Sequence, residues 1–187
     1  MIADRKKVVL SDVLQEKGYI RGPFGSALKR GELLSEGIPV YEQQHAIYNS
    51  RDFRFFIDET KFEEMKRFQV EVNDLIISCS GTVGKVSIID DHDPKGIISQ
   101  ALLLLRVNKN VILPLYLKYF FSSWEGYNAI VSRSSGSVQV NISRRNVIEN
   151  IPLSLPPLDV QQKIVGVLSA IDKKIRKNTE VNENLAA

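Results

Sequence analysis

Cysteine and histidine are almost absent from this chain: one cysteine, Cys79, and two histidines occur among 187 residues. A lone thiol excludes an internal disulfide and fits a reducing cytoplasm. His45 and His92 lie far apart in sequence, so no metal-ligand spacing is recognisable and no metal is expected. Long apolar runs are lacking too. The most apolar segment, residues 97–107, is interrupted by Ser99, Gln100 and Arg106, and nothing approaches a membrane span. The N-terminus carries charge without a following apolar stretch, so secretion is not expected. A strong charge of either sign is missing as well: 25 basic residues against 22 acidic give +3, too little to announce a nucleic-acid partner.

Catalytic signatures are equally scarce. The GTVGK stretch at residues 81–85 invites a phosphate-loop reading, but that loop needs a longer gap between its glycines and a Ser or Thr after the lysine, where Val86 stands. Asp58, Glu64 and Lys66 loosely mimic the core of a metal-dependent nuclease, a pattern that charged helices produce by chance. The LPPL at residues 155–158 lacks the leading Asn or Asp and the trailing aromatic of an amino-methyltransferase tetrapeptide. No complete catalytic constellation results, and no cofactor is expected.

What the chain does have is one organising stretch, residues 136–175. A small, polar, basic segment leads to an apolar run at residues 151–155, and Pro156-Pro157 then interrupts the backbone. A helical pattern opens at Leu158. Ile164, Leu168, Ile171, Ile175, Asn178, Asn182 and Leu185 follow in alternating steps of four and three, the period that buries a narrow stripe against another helix. Asparagines at seam positions suit a register-setting role in a coiled coil better than a monomer core.

Upstream, the glycine-rich residues 18–31 form a loop whose Ser26 and Lys29 could contact phosphate, or else a plain surface connection. A strand at residues 38–41 leads into Gln43-Gln44-His45, where paired long amides could read base edges or simply face solvent. Asp58 suits the N-cap of a short helix with Phe62, Met65 and Phe68 inward. Residues 75–77 and 86–89 are β-branched runs around a Ser-Gly turn. Residues 97–107 read as one buried strand, and Pro114 opens a helix to about Val131 that packs Leu117, Phe120, Phe121 and Trp124 into the core.

Taken together, GPFGSALK, GIPVY, NDLIISCSGTVGKV, ISQALLLLR and GSVQVNISRRNVIENIPLSLPPLDVQQKIVGVLSAIDKKI resemble the DNA-specificity subunit of type I restriction-modification systems. The likeness covers essentially the whole chain, and order and spacing carry it more than any single motif. It implies an α+β fold: a globular target-recognition domain (residues 1–155) with a mixed, largely antiparallel sheet and flanking helices, then a long coiled-coil spacer helix (residues 156–187). Family members usually carry this module twice. One copy implies a half-subunit, or a fragment of a two-repeat subunit, that homodimerises through the helix seam.

The function implied is non-catalytic. The subunit would recognise a split site on double-stranded DNA in the cytoplasm and direct methyltransferase subunits to it, and through them the restriction subunit. S-adenosylmethionine would be bound by those partners. Gln43, Gln44 and His45 are then the candidate base readers. Ser26, Lys29, Ser80, Thr82, Lys85, Arg133, Ser135, Ser137, Gln139, Arg144 and Arg145 are candidate backbone or base contacts. The rival readings are a stand-alone DNA-binding regulator, the nuclease built on Asp58, Glu64 and Lys66, and a protein-only scaffold whose helix is the functional element.

Overall fold

The computed structural model describes residues 5–24, 27–134 and 141–186. It is an α+β fold with largely antiparallel sheets and a long C-terminal helix. At its centre lies a four-stranded antiparallel sheet in the order β2 (Leu14–Arg21), β8 (Leu102–Val107), β5 (Leu75–Ser78), β6 (Val86–Ile88). A smaller sheet joins β3 (Ile38–Tyr41) to β4 (Phe56–Ile57) antiparallel and to β7 (Ile97–Ile98) parallel. A third pairs β1 (Lys6–Val9) with β9 (Pro152–Leu155), so the two ends of the globular part are tied together.

The apolar runs of β5 and β8 follow from burial on both faces. Leu75, Ile77, Leu103 and Leu105 point into one cluster with Leu117, Phe121 and Ile130; Ile76, Leu102 and Leu104 point into another with Tyr41 and Ala46. Alternate side chains of a strand leave on opposite faces, so cover on both sides makes residues 75–77 and 102–105 apolar throughout. Each fully buried aliphatic side chain contributes about 1.5–3 kcal/mol. Cys79 ends this run with no exposure, and burial pushes its thiol up to about 12, so it packs as a small apolar group.

Three expectations are corrected by local chemistry. Residues 97–107 are two strands in different sheets, because a turn at Ser99, with Leu102 N–H donating to its carbonyl at 3.1 Å, separates β7 from β8. Gly22 lies against that turn; a Cβ there would meet the Ser99 oxygen at 1.9 Å. The long helix from Pro114 is likewise two, α3 (Pro114–Ser122) and α4 (Trp124–Val131). Ser123 breaks it by adopting extended backbone and capping α4, its Oγ accepting from Gly126 N–H. Trp124 consequently swings out and is 83% exposed, while Leu117 and Phe121 are buried and Phe120 half-buried.

Two short helices flank the smaller sheet: α1 (Gln43–Tyr48) and α2 (Glu59–Glu64). Asp58 caps α2 by accepting from Lys61 N–H at 2.7 Å, and Phe62 and Met65 are buried with Phe68 half-buried beside them. After α5 (Arg145–Glu149) and β9, α6 (Leu158–Ala186) opens directly past Pro156-Pro157. Among the described residues no helix is long and apolar enough to cross a membrane.

Candidate nucleic-acid interface

A groove of about 1240 Å³ runs beside β2. One wall is β2 itself, where the ladder with β8 shifts register between Leu14 and Tyr19 and Glu16 and Lys17 line the groove. The other walls are the single turn Lys66–Phe68 and residues 141–145. Lys17, Arg21, Lys66, Arg67, Arg106, Arg144 and Arg145 line it against a single carboxylate, Glu16. A near-neutral chain thus concentrates positive charge on one concave surface, which sequence composition averages away.

These cations are held differently. Arg21 donates through Nη1 to the carbonyls of Gln100 (2.9 Å) and Leu102 (2.8 Å). Arg145 pairs with Glu149 on α5 and lies 5.0 Å from the centre of the Tyr19 ring; Arg67 lies 4.7 Å from that of Phe68. Arg106 is committed to the buried Asp74 through Nε (2.9 Å) and Nη2 (2.8 Å), and to Glu71 through Nη1 (2.7 Å). Burial pushes the Asp74 carboxyl up and outweighs the downward pull of Arg106, whose own guanidinium that carboxylate holds more firmly protonated. Lys17, Arg67 and Arg144 are exposed and have no carboxylate partner among the described residues, so they are the cations most available to a phosphate.

Of the residues expected from sequence to touch DNA, Arg144 and Arg145 line the groove and Ser80 and Gln43 adjoin it. Ser80 N–H donates to the Gln43 Oε1 at 3.0 Å, and Ser80 Oγ donates to the Oδ1 of Asn141, a groove residue, at 2.7 Å. Thr82 and Lys85 are exposed on the turn beyond, with the Lys85 ammonium 4.7 Å from the centre of the Tyr127 ring. Lys29 is exposed elsewhere. Arg133 is half-buried and tied to the Ala129 carbonyl at 2.8 Å. Ser26, Ser135, Ser137 and Gln139 lie outside the described residues.

His45 is corrected. It is fully buried, its Nδ1 accepting from Glu42 N–H at 2.7 Å and its Nε2 facing the Asp52 carbonyl at 3.2 Å, so no ring edge is left for a base. Gln44 is also engaged, donating to the same carbonyl at 3.0 Å. Burial lowers the His45 pKa below its usual 6.5. Protonation would place a proton on the nitrogen that accepts from Glu42. The folded state therefore binds fewer protons than the unfolded chain. Stability is complete above about 6.5 and falls as acid takes the pH through that value toward the lower folded pKa. The urea midpoint should drop between neutral pH and pH of about 5, and His45→Gln should flatten that fall. An equal slope in both proteins would reject the assignment.

The nuclease residues do not converge. Asp58 caps α2, Glu64 pairs with Lys61 and Lys66 pairs with Glu63. Asp90, Asp91 and His92 bring ligand-type atoms within 4.8 Å of one another, but all three are exposed on a turn.

At the root of α6, Gln161 is buried and triply bonded: its Oε1 accepts from Leu113 N–H (2.9 Å) and its Nε2 donates to the carbonyls of Pro156 (3.0 Å) and Val111 (3.3 Å). About three turns further on, Asp172 accepts from the Tyr119 hydroxyl at 2.8 Å and lies 3.4 Å from the Lys118 ammonium. Beyond Asp172 every described side chain is exposed. Ile164 and Leu168 of the apolar stripe are half-buried, whereas Ile171 (51%), Ile175 (57%) and Leu185 (80%) face solvent, as do Asn178 and Asn182.

A family model described as the type I restriction modification DNA specificity domain matches residues 13–187. Similar chains include the putative type I restriction enzyme MjaX specificity subunit of Methanocaldococcus jannaschii, 27% identical over 123 residues, which are 64% of this chain and 29% of that one. Another is the HindI specificity subunit of Haemophilus influenzae, 25% identical over 104 residues, 54% of this chain and 22% of that one. The chain therefore spans well under half the length of these relatives. Among solved structures, the type I restriction-modification S subunit from M. genitalium superposes with a TM-score of 0.66 at 14% identity, covering 94% of this chain and 41% of that one. The HsdS subunit from Thermoanaerobacter tengcongensis gives 0.65 at 18%, covering 95% and 39%. At these identities the structural likeness speaks for the fold.

Proposed function

Because its residues 13–187 match that family, the chain belongs to the type I restriction-modification DNA specificity domains, and we propose that it binds double-stranded DNA through the groove beside β2. The observation that carries this reading is the convergence of seven cationic side chains and one carboxylate on a single concave surface. Phosphate contacts from Lys17, Arg21, Arg144 and Arg145 would fix register, while the Gln43, Ser80 and Asn141 edge next to them would face bases.

In this proposal residues 1–155 are the reader and residues 156–187 the ruler. The 29 residues of α6 rise about 43 Å, the length of roughly a dozen base pairs. The exposed stripe from Ile171 to Leu185 would pair with that of a second copy, and a twofold homodimer would favour a split, inverted-repeat target. The assembly would work in the cytoplasm and deliver methyltransferase subunits, and through them a restriction subunit, to that site. The chemistry would be theirs.

Arg144→Ala and Arg145→Ala test the groove. Together they should weaken binding to a random-sequence duplex about tenfold and lower the slope of log affinity against log salt by about 1 to 2. An unchanged slope would remove both from the interface. Because Arg145 is paired with Glu149, the larger share should come from Arg144.

A further inference from the structure

Phe24 is 70% exposed, a large apolar ring standing at the surface of a groove that carries seven cations. Its base is rigid. Gly22 and Pro23 are buried, Gly22 N–H donates to the Leu102 carbonyl at 2.9 Å, and the chain presses so closely on Ser99 that only glycine fits. Beside the ring, Arg21 holds its guanidinium 5.7 Å from the ring centre, pinned by two backbone carbonyls. Neither partner is supported by the hydrophobic core.

An apolar ring left in water gains only when something covers it, and the charge around this one selects a polyanion. A duplex satisfies both needs: its phosphates meet Lys17, Arg21 and Arg144, and its stacked bases offer the apolar surface. Resting on the DNA-binding reading above, we infer that Phe24 is a wedge that inserts at a base step of the bound duplex. Arg21 then holds the flanking phosphate. A wedge separates stacked bases and bends the helix, and the cost depends on how easily that step unstacks. Phe24 therefore contributes sequence preference without donating or accepting a hydrogen bond. The pyrimidine–purine steps, which unstack most readily, are its preferred sites.

The experiment uses the full chain and duplexes selected by it from a library with a random centre, with 2-aminopurine scanned through each position. Insertion should raise fluorescence at one step in each half-site. Phe24→Ala should abolish that rise and lower affinity for the selected duplex roughly tenfold, with the salt slope unchanged. Phe24→Leu, which keeps a wedge, should retain part of the signal. The ring is exposed, so melting temperature serves as the folding control. If Phe24→Ala keeps the fluorescence rise and selects the same sequences, the wedge is wrong while the groove stands. If the full chain has no affinity for any duplex, the functional reading fails and takes the wedge with it.

Discussion

Arg106→Ala is expected to destabilise the folded chain by about 3–5 kcal/mol, because it strands a buried carboxylate. Asp74 is 1% exposed, and its side chain receives two N–H bonds from Arg106 and one from the Glu71 backbone at 2.7 Å. Removing the guanidinium leaves a charge that water cannot reach. For a chain of this size the melting temperature should fall by roughly 10 °C. The asymmetry is the useful part. Asp74→Leu combined with Arg106→Met removes both charges and should cost much less than the single change, since burying an ion pair gains little over an apolar pair of similar volume. Denaturant unfolding of the two singles and the double gives the coupling directly. A single-mutant loss under about 1 kcal/mol would mean that water or Lys66 reaches Asp74 when Arg106 leaves. Because Arg106 also lines the groove, the experiment separates scaffold from ligand: as a scaffold cation it should change the salt slope of DNA binding little.

How much of this was legible beforehand depends on how local each signal is. The break at Pro156-Pro157, the heptad steps from Ile164 to Leu185, the Asp58 cap and the β-branched runs are each written in a short span of chain, whereas the α+β class was implied by the family resemblance. The resemblance to specificity subunits was legible for the same reason, being a matter of order and spacing along the chain. The groove was not. Lys17 and Arg21 come from β2, Lys66 and Arg67 from the turn after α2, and Arg144 from the approach to α5; only the pairing of β2 with β8 and the packing around it bring them together. Their sequence neighbourhoods look like ordinary solvated charge. His45 failed in the opposite way. Its chemistry suits a base reader, but burial decides, and periodicity in a six-residue helix is too short to announce which side faces the core. Trp124 was misplaced because one serine, Ser123, capped a new helix where spacing alone continued the old one.

The helix seam gives the other large effect. Ile171→Glu with Ile175→Glu is expected to raise the dimer dissociation constant by about a thousandfold or more while leaving the fold intact. Both side chains are more than half exposed in the single chain, so their replacement removes little from its core. In a pair each would be covered from both helices. Losing that burial forfeits about 1.5–3 kcal/mol per side chain, and carboxylates enclosed without partners add a further penalty. The effect doubles because a twofold interface presents each position twice. Val167 (62% exposed) and Leu185 (80% exposed) extend the same unpartnered surface, whereas Gln161 and Asp172 tether the first half of α6 to the globular part. Sedimentation velocity and helical dichroism should therefore show monomers of undiminished helicity. Asn178→Leu with Asn182→Leu supplies the contrast: association should persist or tighten, while preference for one register, and hence for one spacing between DNA half-sites, should broaden. A wild-type chain that stays monomeric, or a glutamate variant with unchanged mass, would reject pairing through this stripe. Retained dimers with unchanged half-site spacing in the leucine variant would reject the asparagines alone as register setters.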